Sequence, residues 1–589
     1  MINKPAFAWI LLLYGFPLAR PAQLLPATVG TPTVQKSEAQ SRRRAGQLAG
    51  YVTADSGRPL ARAQVTITNI ADVGASGRRI GVTDEQGGFQ FNGVPDGAYA
   101  LSVRAPGYVR TGDSTGSKYY RPGDFVAISM QKGGVITGTV KNHAGEPLIN
   151  VPVRALRVED MDRKAKALNA SFASRLTDDR GVYRLYGLEP GVYVVCAGGG
   201  SRSYAGFNKY ENETPTYHPS SVRQTAGKVM VAGGQEVGGV DIAYRGEKGH
   251  AVSGVVIGVR TTRFGPATAV ALGDWSTREI IGVGSTVQDQ SFAFYGVPDG
   301  DYYLIARHFA DGEQEGAVSK PTRIKVAGGD VAGAQLTLSP LASVSGLVVL
   351  EPLPKESPVK CALEPNALVE DAVVSLYREP SEYDPGQLWD TDNIHGGAND
   401  RGRFILNGIS AGRYRIDASL FHESWFAKSL VMLREPASDP KRATDSGPGN
   451  PILESLSVQS GDRTRLKITF AEGAATLNGR VLGPRGKPLP SRLYVHLVPA
   501  EPLKTSDEVL RFLESEVRED GSFSLEHIAP GKYWVFAKSG ANRPSVSLSA
   551  PSSWTATGRA MLRKEGQKSK AAIELGPCQS AKGYVVTYN

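Results

Sequence analysis

The chain has 589 residues, of which 41% are hydrophobic and 21% are charged. This composition is typical of a folded globular protein and excludes an intrinsically disordered chain, and the length suggests about four domains of ~150 residues each. The 68 glycines and 37 prolines favour turns and short strands over long helices. The net charge of +9 is small for this length, and basic residues do not alternate with aromatic ones, so we do not expect nucleic acid as a partner.

Residues 1–27 have the pattern of a secretory signal peptide. Lys4 precedes an apolar run from Ala6 to Phe16, which is too short to span a membrane but has the length of a signal-peptide hydrophobic region. A retained N-terminal anchor is the alternative. We expect no other membrane span and predict a linker over residues 28–46. The expected location is therefore extracellular or periplasmic, at the cell envelope.

Two short segments recur five times along the chain and define a repeated unit. The first has the form Gly-x-Val, and its copies begin at Gly50, Gly138, Gly254, Gly346 and Gly479. The second is rich in aromatic residues, ends in Gly-x-Tyr and has the same length in every copy, namely Gly88–Tyr99, Val182–Tyr193, Ser291–Tyr302, Arg403–Tyr414 and Ser522–Tyr533. Five gap-free copies make a chance origin untenable.

The second segment has a period of two on both sides of its turn. Phe89 and Phe91 point to one face, and Tyr99, Leu101 and Val103 do the same after the turn. This alternation predicts a β-hairpin with one buried face. We therefore predict an all-β chain of five tandem, seven-stranded, Ig-like or transthyretin-like β-sandwich domains, each large enough to bury its own core.

The repeats also set the predicted domain boundaries. The five domains are expected at residues 47–132, 133–247, 248–339, 340–471 and 472–589. Two inserts have helical character, and two others have the composition of loops. The helical inserts are residues 160–174 and 505–517, and the loops are residues 380–399 and 436–451.

The repeated unit resembles the carboxypeptidase regulatory-like family, whose pattern is GxV…GxPLxxAxV…TDxxGxFxFxGLxPGxYxLxxxxxGY. The first copy matches this pattern at Gly50–Val52, Gly57–Leu60, Ala63–Val65, Thr83–Asp84, Gly88–Phe89, Gly97–Tyr99 and Pro106–Tyr108. The segment Thr216–Ser220 is similar to large secreted bacterial proteins of the family. The resemblance covers residues 47 to about 550 and implies a transthyretin-like sandwich, classed beside starch-binding-like carbohydrate-binding folds. It implies no reaction.

The cysteines do not indicate a metal site. Cys196, Cys361 and Cys578 lie far apart, which excludes a cysteine-based zinc site and a disulfide-rich scaffold. Cys196 lies in the apolar run Val194–Ala197 and is predicted to be a buried core residue.

Two motifs resemble catalytic signatures, but the sequence around each of them predicts a turn or a loop. His143 and Glu146 form a His-x-x-Glu pair, yet they occupy a turn that recurs in the first copy. Gly112–Gly116 reads Gly-x-Ser-x-Gly without the flanking strand and helix of a nucleophile elbow. We predict no catalytic residue, no metal site and no cofactor, and therefore no enzyme. Calcium binding in loops is left open.

Aromatic residues in polar loops are the candidate ligand contacts, because sugar C–H faces stack on aromatic rings. The alternative is that each ring folds back onto its own domain. The candidates are Trp389, Tyr204, Tyr210, Tyr217, Tyr119 and Tyr120.

The sequence thus predicts a secreted, monomeric, non-enzymatic multidomain binding protein. Carbohydrate, in the form of a polysaccharide at the cell envelope, is the ligand class that the fold resemblance favours. The alternative is a structural or adhesion stalk that makes contacts with cell-surface proteins and holds no small ligand. Exposed aromatic residues on a flat face would favour polysaccharide binding, and tight contacts between domains would favour the structural or adhesion stalk.

Overall fold

The computed structural model describes the repeats, and the predicted signal peptide at residues 1–27 lies outside the described residues. The described residues are 46–72, 76–110, 118–159, 173–199, 209–258, 268–277, 280–287, 289–309, 316–361, 367–379, 393–433, 450–451, 455–483, 489–490, 492–501, 506–540, 553 and 555–588. Within these ranges, no helix combines the length and the apolar character needed to cross a membrane.

The first sandwich consists of two four-stranded sheets that face each other. Its strands are β1 (Gln47–Ala54), β2 (Gln64–Asn69), β3 (Arg78–Val82), β4 (Gly88–Asn92), β5 (Tyr99–Arg104), β6 (Tyr108–Arg110), β7 (Tyr119–Tyr120) and β8 (Phe125–Lys132). One sheet has the order β4-β1-β8-β6 and the other β3-β2-β5-β7. The core between them includes Leu48 and Met130 from one sheet and Ile67 from the other.

The second sandwich follows without a loop. Its strands are β9 (Gly134–Lys141), β10 (Pro152–Glu159), β11 (Ala173–Leu176), β12 (Val182–Leu188), β13 (Gly191–Ala197), β14 (Thr216–Tyr217), β15 (Lys228–Val231), β16 (Glu236–Val237) and β17 (Ile242–Ala243). One sheet is β12-β9-β16, with β17 also on β9, and the other is β11-β10-β13-β14, with β15 also on β13.

In the third sandwich the two sheets join into one eight-stranded sheet, because β23 pairs with both β22 and β25. The strands are β18 (His250–Ile257), β19 (Ala269–Asp274), β20 (Ile280–Ser285), β21 (Ser291–Val297), β22 (Gly300–His308), β23 (Ala317–Ser319), β24 (Thr322–Val326) and β25 (Val331–Pro340).

The fourth sandwich pairs a five-stranded sheet, β29-β26-β34-β31-β32, with a four-stranded one, β28-β27-β30-β33. These strands are β26 (Ala342–Glu351), β27 (Ala372–Arg378), β28 (Asn393–Gly397), β29 (Arg403–Ile409), β30 (Gly412–Leu420), β31 (Trp425–Leu433), β32 (Asn450–Pro451), β33 (Leu456–Val458) and β34 (Arg463–Glu472).

The fifth sandwich pairs the sheets β38-β35-β41 and β37-β36-β39-β40. It contains β35 (Ala475–Leu482), β36 (Leu493–Pro499), β37 (Leu513–Glu516), β38 (Ser522–Ile528), β39 (Gly531–Ser539), helix α1 (Ala556–Ser569), β40 (Ala572–Leu575) and β41 (Ser580–Thr587). The fold class is therefore all-β, as predicted. The division into independent domains with the boundaries given above stays a prediction.

The glycine of each Gly-x-Val segment lies where the first strand of a sandwich runs parallel to its last strand. A Cβ atom on Gly50 would lie 2.0 Å from the carbonyl oxygen of Val126, and one on Gly254 would lie 2.0 Å from that of Ala334. A Cβ atom on any of the other three glycines would likewise lie 2.1–2.5 Å from a carbonyl oxygen of the last strand or of the residues just before it. On the opposite side, each glycine pairs with the first aromatic residue of the second segment, namely Phe89, Tyr183, Phe292, Phe404 or Phe523.

The prediction of a hairpin around the Gly-x-Tyr turn is wrong. In the first sandwich β4 pairs with β1, whereas β5 pairs with β2 and β7, so the turn crosses from one sheet to the other. The alternation identified the core-facing residues but not the partner strand, because both strands bury one face on the same core. The tyrosine fixes the crossing, since the hydroxyl of Tyr99 donates to the carbonyl oxygen of Pro95 at 3.0 Å. The corresponding hydroxyls donate to Glu189, Pro298, Ser410 and Ala529.

The local predictions for the inserts and loops also need correction, and one helix was not predicted. The insert at 505–517 contains a short 3-10 helix, Ser506–Arg511, followed by strand β37. The predicted loop at 380–399 ends in strand β28, and its earlier part lies outside the described residues. Helix α1 was not predicted at all, although Thr555 caps it by accepting a hydrogen bond from the backbone N–H of Gly558. Only residues 173–174 of the insert at 160–174 are described, and they are the first two residues of β11.

Replacing the repeat glycine should destabilise its sandwich. Gly254→Ala places a methyl group against the Ala334 carbonyl and should lower the free energy of unfolding by about 1–3 kcal/mol through overpacking. Gly329→Ala is the matched control, because a Cβ there meets no atom within 4 Å. Urea unfolding of both variants beside the parent chain tests this. Equal midpoints for the two variants would contradict the packing argument.

Candidate functional site

The structure describes four of the six aromatic candidate ligand contacts and buries three of them. Tyr120, Tyr210 and Tyr217 are 8%, 6% and 5% exposed, which agrees with the alternative that these rings fold back onto their own domains. Tyr120 packs in the first core, and Tyr210 packs edge-on against Tyr244 in the second. Tyr119 is half-buried. Trp389 and Tyr204 lie outside the described residues, and a ligand-binding role for any of the six stays a prediction.

Tyr217 lines a cavity of about 380 Å³ at the junction of the second and third sandwiches. It lies on β14, which pairs with β13 at Cys196. Tyr217, Cys196, Leu156 and Val194 form a small apolar cluster on the outer face of their sheet. Cys196 is buried, as predicted, but it belongs to this outer cluster rather than to the core between the sheets. Burial raises the pKa of Tyr217 to about 12, so its hydroxyl is protonated at neutral pH.

The second sandwich gives the cavity a basic wall. Arg154 donates from Nη2 to the carbonyl oxygens of Gly198 and Gly199 at 2.9 and 3.1 Å, which orients its guanidinium group. The guanidinium of Arg223 lies 6.0 Å from the centre of the Tyr217 ring. Both arginines line the cavity, and both act electrostatically on the Tyr217 hydroxyl.

The third sandwich gives the cavity an acidic wall. Asp299 Oδ1 lies 3.2 Å from Nε2 of His250, and it accepts a hydrogen bond from the N–H of Gly328. Asp274 accepts hydrogen bonds from Ser276 and from the N–H of Thr277. Burial opposes ionisation of Asp274, but these hydrogen bonds outweigh it and lower the pKa of the carboxyl. Glu247, which pairs with Arg245, and Lys248 also line the cavity, so arginines predominate on one side and aspartates on the other without complete separation of charge.

A second constellation joins the first and fourth sandwiches. Ile70 and Ala98 of the first pack against Val373 of the fourth, with Tyr119 and Phe421 at the edge. The N–H of Gly397 donates to the carbonyl oxygen of Ile70 at 3.1 Å. A Cβ on Gly397 would lie 3.0 Å from the Ile70 side chain, so the two backbones approach closely.

Beside this apolar patch lies a buried ionic cluster. Nε2 of His422 is 2.8 Å from Oδ2 of Asp371 and 3.0 Å from Nη1 of Arg121. The side chains of Arg121, Asp371 and His422 are 11%, 8% and 1% exposed. Arg121 belongs to the first sandwich and the other two belong to the fourth, 301 residues away in the case of His422. Sequence reasoning missed all three.

His395 lies in the same contact. Its Nδ1 is 2.8 Å from the hydroxyl of Ser375, and its ring meets that of Tyr119 edge-on, with ring centres 5.6 Å apart. Burial lowers the pKa of His395 to about 4, so the ring is neutral at pH 7.

A disulfide connects the fourth and fifth sandwiches. Cys361 follows β26 and pairs with Cys578, which precedes β41. The fifth sandwich also reaches the fourth through His527, whose Nδ1 is 2.7 Å from the carbonyl oxygen of Trp425. The sequence showed no spacing that predicts this pairing, because the cysteines lie 217 residues apart.

Of the two motifs that resemble catalytic signatures, the structure describes only the pair His143 and Glu146. Glu146 accepts a hydrogen bond from the side-chain amide of Asn142 within the turn that also contains His143. Gly112–Gly116 lies outside the described residues. In the part of the chain that the structure describes, no three His, Cys, Asp or Glu side chains are grouped so that they could hold a metal ion.

The family comparison agrees with the repeat resemblance. The carboxypeptidase regulatory-like domain matches residues 47–115, which confirms that the first repeat carries this domain. A search of curated proteins finds no match.

Several solved structures align with parts of this chain. The Bacillus anthracis TIE protein aligns at 14% identity and a TM-score of 0.14, over 49% of this chain and half of its own. The minor pilin GBS52 of Streptococcus agalactiae aligns at 14% identity and a TM-score of 0.19, over 34% of this chain and 96% of its own. The shaft pilin SpaA of Lactobacillus rhamnosus GG aligns at 11% identity and a TM-score of 0.17, over 34% and 97%.

The neutral His395 should make the protein acid-sensitive. Its folded pKa of about 4 lies below the unfolded value of ~6.5, so the unfolded chain binds more protons and stability falls as the pH drops through this window. His395→Gln removes the titration. Apparent unfolding temperatures measured from pH 7 to pH 4 should therefore fall less steeply for His395→Gln than for the parent. Parallel profiles would rule out His395 as the source.

The disulfide predicts a simple alkylation result. In the unfolded but unreduced chain, iodoacetamide should modify Cys196 alone, and after reduction it should modify all three cysteines. Intact mass and peptide mapping measure this. A Cys196→Ser variant should show no modification before reduction. Modification of Cys361 or Cys578 without a reductant would disprove the pairing.

Proposed function

We propose that the protein is a non-enzymatic adhesion protein of the cell surface or extracellular space, in which β-sandwiches are held in fixed relation to present surfaces to other proteins. The observation that carries this proposal is the buried cluster of Arg121, Asp371 and His422 between the first and fourth sandwiches. It is supported by the disulfide between the fourth and fifth.

Buried charge is informative because it is expensive to desolvate. An ion pair inside a protein is tolerated only when its partners are well placed, and removing one partner destabilises by about 3–5 kcal/mol. Three nearly inaccessible polar side chains therefore indicate a specific contact rather than an incidental one. A fixed relation between sandwiches is what a protein needs if several of its surfaces are to engage one partner together.

The disulfide supports the proposed location. Disulfides persist in oxidising environments such as the periplasm and the cell exterior, and they are rare in the cytosol. The predicted signal peptide at residues 1–27 points the same way.

Polysaccharide binding is a second candidate function. The cavity beside Tyr217 favours it, because this cavity combines aromatic and apolar lining with charged groups on two walls. The buried state of Tyr120 and Tyr210 weighs against the simpler picture of a flat aromatic surface.

Retention of the chain, without its predicted signal peptide, on immobilised surfaces tests both candidates. One set of surfaces carries fibrous proteins such as collagen and fibronectin, and the other carries cellulose, chitin, alginate and polygalacturonate. Adhesion predicts saturable retention on protein. Arg121→Ala should reduce it by about tenfold, because a mobile first sandwich loses part of the avidity that simultaneous engagement gives.

The control is Arg104→Ala, which removes an exposed arginine of the same sandwich. Its retention should equal that of the parent. Retention on polysaccharides alone would replace adhesion with the second candidate. If Arg121→Ala leaves retention on protein unchanged, adhesion does not depend on the contact between the first and fourth sandwiches.

A further inference from the structure

We propose that the cavity between the second and third sandwiches binds a small sugar acid, meaning a single sugar ring with one carboxylate, either free or at the end of an acidic polysaccharide. This inference rests on the second candidate function, polysaccharide binding, and specifies the site and the class of ligand. It is independent of the contact between the first and fourth sandwiches.

The size of the cavity limits the ligand to one or two rings. Ligand pockets usually enclose about 300–1,000 Å³, and this cavity, at about 380 Å³, lies at the small end of that range. Leu156, Tyr217, Ile281 and Tyr302 supply apolar and aromatic lining against which the C–H faces of a sugar ring can pack.

The basic wall selects an anionic group. Arg223 presents a guanidinium group, whose planar arrangement of donors matches a carboxylate and can bind it with two parallel hydrogen bonds. Arg154, whose Nη2 already donates to the Gly198 and Gly199 carbonyls, adds positive charge to the same wall. The carbonyl oxygens of Gly198 and Gly199 already hold the Arg154 group in place, so little side-chain freedom is lost on binding.

The acidic wall selects hydroxyl groups and limits the negative charge of the ligand. Asp274 and Asp299 are acceptors that sugar hydroxyls can donate to, and they would repel a second anionic group. A single carboxylate at one end of a hydroxylated ring satisfies both walls. A neutral sugar would gain no charge-assisted hydrogen bond from the basic wall, and a sugar phosphate would bring more negative charge toward the aspartates.

Isothermal titration of the chain without its predicted signal peptide tests the proposal, with glucuronate and galacturonate as ligands and glucose and galactose as neutral counterparts. We expect saturable binding of at least one uronate, at least tenfold tighter than its neutral counterpart. Arg223→Gln should weaken uronate binding at least tenfold. Arg184→Gln is the matched control, because this arginine of the second sandwich pairs with Glu236 on an exposed surface.

A second variant covers the case in which Arg223→Gln does not fold. Val222 is 44% exposed and lines the cavity, so Val222→Trp should fill its mouth and abolish binding without changing any charge. Equal affinity for uronates and neutral sugars, no uronate binding at millimolar concentration, or binding that neither cavity variant alters would each overturn the proposal.

Competition separates this proposal from polysaccharide binding as such. Retention on polygalacturonate that free galacturonate displaces, and that Val222→Trp removes, places the end of the polymer in the cavity. If free galacturonate does not displace the chain from polygalacturonate, and both variants are still retained, the protein binds polysaccharide at another place. That result would overturn the assignment of this cavity.

Discussion

Each sandwich depends on the close approach of its first strand to its last. These two strands run parallel, and the carbonyl oxygen of the last strand occupies the place where a side chain on the repeat glycine would begin. The glycine in turn lies opposite an aromatic residue, whose ring covers the gap on the core side. The first and last strands are the two most distant in sequence within the unit. One small residue therefore permits the longest-range strand pairing in the sandwich. The inserts between the strands differ from copy to copy.

The sequence was most informative about residues that face the cores. The alternation in Gly88–Tyr99 identified buried side chains correctly, and the recurring Gly-x-Tyr identified a constrained turn, which proves to be held by the tyrosine hydroxyl. It was misleading about strand pairing, because strands on opposite sides of one core show the same alternation as the two arms of a hairpin. Helix α1 was not predicted from the sequence, because it has no counterpart in the other copies and packs only part of its surface.

The contacts between sandwiches were beyond prediction, although one signal of them was present. A strand covered on one face alternates, but β13 is buried at every position, and five consecutive residues of β27 are buried as well. Such runs indicate that something covers the outer face of a sheet. They do not indicate what covers it, because Arg121 and His422 are brought together by the arrangement of whole sandwiches and not by any local pattern. The same holds for Cys361 and Cys578.

Charged side chains are arranged differently at the junction of the first and fourth sandwiches and at the junction of the second and third. Between the first and fourth sandwiches, Arg121 and Asp371 meet around His422, and apolar side chains close the remaining space. Between the second and third, Arg154 and Asp274 line different walls and leave a cavity between them. An apolar void of that size would lower stability, but a polar one can hold solvent or a ligand. The first arrangement is suited to fixing two bodies in place, and the second to recognising a small molecule that carries charge at one end.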